Sequence, residues 1–157
     1  MSKTAAKKFI ALCAVTAALT AAVFFAACES EYEHPFSVTL SVTCTAAVGH
    51  ADLPETVRAL LPADGVILSD ESIEITKKTS VLTLLRENLQ QQRIQFDISG
   101  GYVRAINNLY EKQCGPFSGW VYYINGSLAS SGASSYAVRA DDVIEWRYVL
   151  SAPEFGA

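Results

Sequence analysis

Residues 118–126 read SGWVYYING, and residues 142–148 read DVIEWRY. In the first stretch Trp120, Tyr122 and Ile124 alternate with Val121, Tyr123 and Asn125. A period of two marks a β-strand with one buried face. Asn125-Gly126 is a strong hairpin-turn dipeptide, because both residue types tolerate the positive φ of a type I′ turn. In the second stretch Ile144, Trp146, Tyr148 and then Leu150 alternate with Val143, Glu145, Arg147 and Val149. The charges identify the latter set as the wet face. The Ile144 set is therefore the buried one, and the Trp120 set is expected to meet it. Two aromatic strands joined through a loop of Ser, Gly and Ala anchor the fold.

Working toward the N-terminus, Ile94, Phe96 and Ile98 alternate as another strand, Gly100-Gly101 turns the chain, and Tyr102 to Leu109 extends again. Thr79 or Ser80 caps a helix that runs to about Gln92, with Val81, Leu82, Leu84, Leu85 and Leu89 as its apolar stripe. Val66 to Leu68 and Ile73 to Ile75 read as two short strands about a turn at Asp70-Glu71. Asp52 and Glu55 have the spacing of a capping box, which predicts a short helix bearing Leu53, Val57, Leu60 and Leu61 on one face. Val38, Leu40, Val42 and Cys44 alternate with Ser37, Thr39, Ser41 and Thr43, a half-buried strand with Cys44 on its inner face. This order predicts an α+β domain, a mostly antiparallel sheet carrying one main helix.

The first 27 residues read differently. Lys3, Lys7 and Lys8 precede an uncharged run from Phe9 to Ala27, the pattern of an export signal. Small residues Ala26 and Ala27 directly before Cys28 resemble the lipobox of bacterial lipoproteins. That resemblance implies cleavage after residue 27 and lipidation of Cys28. The run is also long enough for an uncleaved membrane anchor, which needs about 20 residues. Either reading leaves the lysines inside and the remainder outside the cytoplasm, attached to the bacterial membrane. Residues 28–35, with Glu29, Glu31 and Glu33, read as an acidic tether; 36–150 form the domain and 151–157 a tail.

Three of the 12 basic residues lie in the leader, whereas all 16 acidic residues follow it. A domain this acidic is repelled by phosphate backbones, so nucleic acid is not an expected partner. Of the four cysteines, Cys13 lies in the apolar run and Cys28 at the lipid site. Cys44 and Cys114, in an oxidising compartment, are expected to form a disulfide, with two buried thiols as the alternative. Such a bond would contribute ~4 kcal/mol in the chain-entropy model.

The stretch 118–126, Gly132-Ala133 with Tyr136, and residues 142–148 together resemble the transcobalamin-like C-terminal domain (DUF4430-type). Val38 to Cys44, residues 64–68 (DGVIL), 80–85 (SVLTLL) and 102–107 (YVRAIN), with Cys114-Gly115-Pro116, extend the likeness over about residues 36–150. The resemblance implies a β-grasp-like sheet carrying a helix. Members of this family often occur as exported lipoproteins. In the vitamin carriers the domain closes over cobalamin together with a helical domain, and no such helical domain is read in this sequence. At positions 141–142 the family usually has Gly-Asp where this chain has Asp141-Asp142, which implies a left-handed Asp141.

No nucleophile elbow, His-Glu-x-x-His motif or phosphate-cradling Gly loop occurs. His34 falls in the tether and His50 in a loop. Asp141, Asp142 and Glu145 are accounted for by a turn and a solvated strand face. No catalytic residue, metal site or cofactor is therefore expected. Trp120 and Trp146 read as core. The candidate ligand-binding residues are Phe117, Tyr123, Asn125, Ser130, Ser131 and Tyr136, aromatic and polar groups around the small-residue loop. These readings combine into a membrane-anchored, extracytoplasmic small-ligand-binding module. Cobalamin or another corrinoid is the ligand implied by resemblance, and a membrane transporter the implied recipient. The alternative is a structural or protein–protein interaction module of the cell surface.

Overall fold

The computed structural model describes residues 31–151. The leader, the lipid site at Cys28 and residues 152–157 lie outside the described residues. Strand β1 (Glu31–Thr43) runs antiparallel to β2 (Val66–Lys77), pairing Phe36 with Ile75 and Leu40 with Glu71. β1 thus begins inside the stretch expected to be a tether. The two short strands expected on either side of Asp70-Glu71 are one strand. Its register shifts between the pairs Leu40–Glu71 and Val42–Leu68, so β2 absorbs an extra residue as a bulge while the chain runs on.

Strand β8 (Val143–Val149) lies beside β1 in parallel, from Thr39–Val143 to Thr43–Arg147. Strand β6 (Gly119–Ile124) pairs antiparallel with β8, and β7 (Ser127–Leu128) folds back on β6. The five-stranded order is β2-β1-β8-β6-β7. A first hairpin, a helix, and a last strand parallel to the first define a β-grasp-like arrangement. Strands β3 (Phe96–Ser99), β4 (Tyr102–Ile106) and β5 (Leu109–Tyr110) form a separate antiparallel sheet. The single extension expected from Tyr102 to Leu109 is divided at Asn107-Asn108, both with positive φ (49° and 63°).

Helix α1 (Glu55–Arg58) is capped by Pro54 without a side-chain bond, not by Asp52. Asp52 is instead drawn into a turn, its N–H donating to His50 Nδ1 at 3.3 Å. Leu60, expected on the apolar face, is 54% exposed. Helix α2 (Val81–Gln91) starts as the sequence predicts: Ser80 accepts from the Thr83 N–H at 3.2 Å. Val81, Leu82, Leu84, Leu85 and Leu89 are buried in one core with Val38, Leu40, Val42 and Ile144. The alternation in β6 and β8 is also observed: Trp120, Tyr122, Ile144, Trp146 and Tyr148 are all buried, whereas Leu150, expected with them, lies past the end of β8 and is 38% exposed. The buried side chains meet as neighbours on one sheet face. Trp120 is edge-on to Tyr148 at 5.3 Å between centroids, and Tyr122 stacks on Trp146 at 5.2 Å. Such pairs add to the area they bury.

Candidate functional site

A half-open cavity of about 240 Å³ lies between the Gly101 turn, strand β6 and the loop after β7. Its aromatic lining is Trp120, Tyr122 and Trp146, with Tyr102 and Val103 contributed by β4. Leu128, Ala129, Gly132 and Ala133 supply the small-residue side. No acidic or basic side chain lines it.

Local bonds fix this geometry. Trp120 Nε1 donates to the Leu109 carbonyl at 2.9 Å, which ties β6 to the second sheet. The Tyr122 hydroxyl donates to the Ser131 carbonyl at 2.6 Å and holds the loop beside the sheet. Farther along, the Ala133 and Tyr136 carbonyls accept the N–H groups of Leu82 and Val81, two donors that the first turn of α2 cannot satisfy internally. Tyr102 is half exposed, and its hydroxyl donates to the Glu111 carboxylate at 3.0 Å. Burial first, and then the neighbouring carboxylate, raise its pKa and keep the phenol protonated. Trp146 is the exception to this economy. Its Nε1 is buried and has no hydrogen-bond partner. A buried donor left unpaired costs about 1–3 kcal/mol.

The structure distributes the six sequence-predicted residues around the domain and puts none of them in the cavity lining. Ser131 borders it through its bond to Tyr122, and Ser130 is exposed in the same loop. Phe117 is 73% exposed before β6. Tyr123 lies on the opposite sheet face under the Arg147 guanidinium, 4.3 Å from its ring, while Arg147 pairs with Glu145 at 2.7 Å. Asn125 is occupied with structure: its Oδ1 accepts the Val143 N–H at 2.8 Å, and its Nδ2 approaches Asp142 Oδ1 at 3.4 Å. Tyr136 is half-buried beside Arg139, 5.7 Å away. Of the residues that do line the cavity, Trp120, Tyr122 and Trp146 read as core and Gly101 as a turn, whereas Leu128, Ala129, Gly132 and Ala133 belong to the small-residue loop that the sequence marks as a binding surface. Burial and lining are not exclusive, and small residues on two loops flanking an aromatic strand were the available signal.

Cys44 and Cys114 are both buried, and each carries a free thiol in this structure. Cys114 is held by its N–H on Ser118 Oγ at 3.1 Å and by the Tyr148 hydroxyl beside its sulfur, so its own loop and β8 position it. Asp142 lies in the expected turn but is only 4% exposed, and it accepts the Arg139 N–H at 2.9 Å. Asp141 has φ 62°, the left-handed conformation the family likeness implies. Among the described residues no group of three or more His, Cys, Asp or Glu could hold a metal ion. No described helix is long and apolar enough to cross a membrane.

The fold defines a sheet-dominated α+β domain of β-grasp-like topology, with an uncharged aromatic cavity at one end of its sheet. Residues 78–149, just under half of the chain, match the family described as Domain of unknown function (DUF4430). Among solved structures, haptocorrin in complex with Cbi is similar at 16% identity and a TM-score of 0.56. The match covers 77% of this chain but 26% of that one, so this chain spans about a quarter of haptocorrin. A protein from Ruminococcus gnavus ATCC 29149, described only provisionally as metal-binding, matches at 12% identity and a TM-score of 0.40, over 73% of this chain and 96% of that one. No curated protein matches the sequence.

Proposed function

We propose that this chain is a membrane-anchored, extracytoplasmic module that binds a small ligand without chemistry, a corrinoid being the favoured class. The observation that carries the binding role is the uncharged aromatic cavity with its unpaired Trp146 donor. The corrinoid class rests on the transcobalamin-like domain and on the likeness to haptocorrin, whose structure holds Cbi. A corrin macrocycle is far larger than 240 Å³, so it would lie across the mouth, against Tyr102 and Leu128, with only a peripheral group inside. Anchoring rests on the basic start, the apolar run and Cys28; delivery to a membrane transporter follows from that placement. Equilibrium titration of the full chain in detergent with cobalamin and with cobinamide tests the ligand. Saturation in the micromolar range is the expected result, and no saturation at high micromolar ligand overturns the corrinoid reading. Cys28→Ser should abolish acylation and release the protein from membranes.

A second reading, an interaction module without small ligand, is favoured by Phe117, 73% exposed next to the aromatic strand. Pull-down from membranes that recovers one protein partner with wild type and loses it with Phe117→Ala, without corrinoid binding, supports that reading.

A further inference from the structure

We infer that the cavity is a subsite for a neutral planar group of one or two rings that carries an in-plane hydrogen-bond acceptor, and that Trp146 Nε1–H is the donor that recognises it. The inference rests on the small-ligand reading above and specifies what enters the cavity. Three observations carry it. Size comes first: about 240 Å³ accommodates a ring system of this scale and not a macrocycle. Next is the lining. Trp120, Tyr122 and Trp146 present apolar ring surface, and no ionisable group other than Tyr102 and Tyr122 faces the space. A charged ligand would lose its hydration there with no counter-charge to replace it.

The third observation is the state of the two indoles, the chain's only tryptophans. Trp120 spends its N–H on the Leu109 carbonyl, whereas Trp146 has no acceptor. Because Trp146 Nε1 is closed to solvent, no water relieves it either. An acceptor reaches it only if the cavity wall gives. The side of the wall suited to give is the run from Ala129 to Ala133, which has no large side chain and is fastened by the Ala129 N–H on the Tyr122 carbonyl, the Tyr122–Ser131 bond and the Ala133 carbonyl. A ligand that opens this wall recovers the donor's lost hydrogen bond, and a ring without an acceptor does not.

The test uses ¹⁵N-labelled full chain in detergent, whose spectrum contains two indole N–H signals. Trp146→Phe assigns them. If that variant does not fold, Trp120→Phe assigns them by difference. The probe is quinoline at a pH where it is neutral, against N-methylquinolinium, which has the same shape but a charge and no lone pair. Quinoline should shift the Trp146 signal downfield saturably, and N-methylquinolinium should bind at least about tenfold more weakly. Ala129→Leu, which fills the cavity and leaves the donor in place, should abolish the shift. Equal binding of both probes, movement of Trp120 alone, movement of neither signal, or a full response in Ala129→Leu each overturns the inference. The two proposals fail separately. Corrinoid binding that leaves the Trp146 signal unmoved refutes the subsite and not the function. A quinoline response with no corrinoid binding refutes the corrinoid and not the subsite.

Discussion

Gly65 packs so closely on Thr45 that a Cβ at position 65 would stand 2.6 Å from Thr45 Cα. Its φ is also +73°, and its carbonyl accepts the Cys44 N–H at 2.7 Å, which closes the end of the β1–β2 pair. Steric and conformational strain therefore act together. Gly65→Ala should destabilise the domain by about 3 kcal/mol or more. Urea denaturation measures this, and a loss below about 1 kcal/mol would contradict the packing described.

Asn125 serves the turn and the neighbouring strand at once. It adopts φ 52°, and its Oδ1 accepts the Val143 N–H. Asn125→Ala should cost about 1–2 kcal/mol by removing the bond and straining the turn. Asn125→Gly restores the backbone freedom but not the bond, so its thermal midpoint should fall between those of the alanine variant and wild type.

The Tyr148 hydroxyl donates to the Tyr110 carbonyl at 2.8 Å and lies 2.9 Å from Ser118 Oγ. It joins the last strand to β5 and to the loop before β6. Tyr148→Phe keeps the ring against Trp120 and removes only these bonds, with an expected cost of about 1–3 kcal/mol. Amide exchange should quicken most at residues 110–118; uniform acceleration over the whole domain would argue against a local role.

Burial, reinforced by the charges of Asp64 and Cys114, pushes the Cys44 thiol from its ordinary 9.0 up to about 11. The folded state then holds a proton that the unfolded chain gives up earlier. Between about pH 9 and pH 11 stability should fall as pH rises, and below pH 9 this contribution is fully present. Tyr102, Tyr136 and Tyr148, whose pKa values are also raised, deepen the loss above pH 10. Cys44→Ala should flatten the onset just above pH 9. Alkylation at pH 8 should leave Cys44 unmodified in the folded protein and modify it, without any reductant, once denaturant is added.

Local periodicity carried much of the fold into the sequence. Trp120-x-Tyr122 and Ile144-x-Trp146-x-Tyr148 stated which faces are buried, and the stripe of α2 and its Ser80 cap needed no tertiary information. What escaped depends on contacts between distant segments. Nothing local says that β8 enters the sheet parallel to β1, and the charges at Asp70-Glu71 read as a turn because a bulge exposes charge in the same way. Asn125 and Tyr123 looked available because their partners, Val143 and Arg147, lie on another strand. The cavity escaped for a related reason. Its walls come from Gly101, Trp146 and Ala133, three small or apolar positions whose juxtaposition only the folded chain creates.

The parallel pairing of β1 with β8 also sets an order of events. β1 begins at Glu31 and its inner neighbour only at Val143, so the centre of the sheet joins the two ends of the described chain. As the protein emerges during synthesis, β1 and β2 can pair and α2 can form, yet one edge of β1 stays bare until the last strand is made. Contacts this distant in sequence belong to the slow-folding regime, and a bare edge is a template for strand exchange between copies. A chain ending before Val143 would keep that edge permanently. Closure of the middle of the sheet therefore waits for β8, although the β1–β2 hairpin and α2 can form before it.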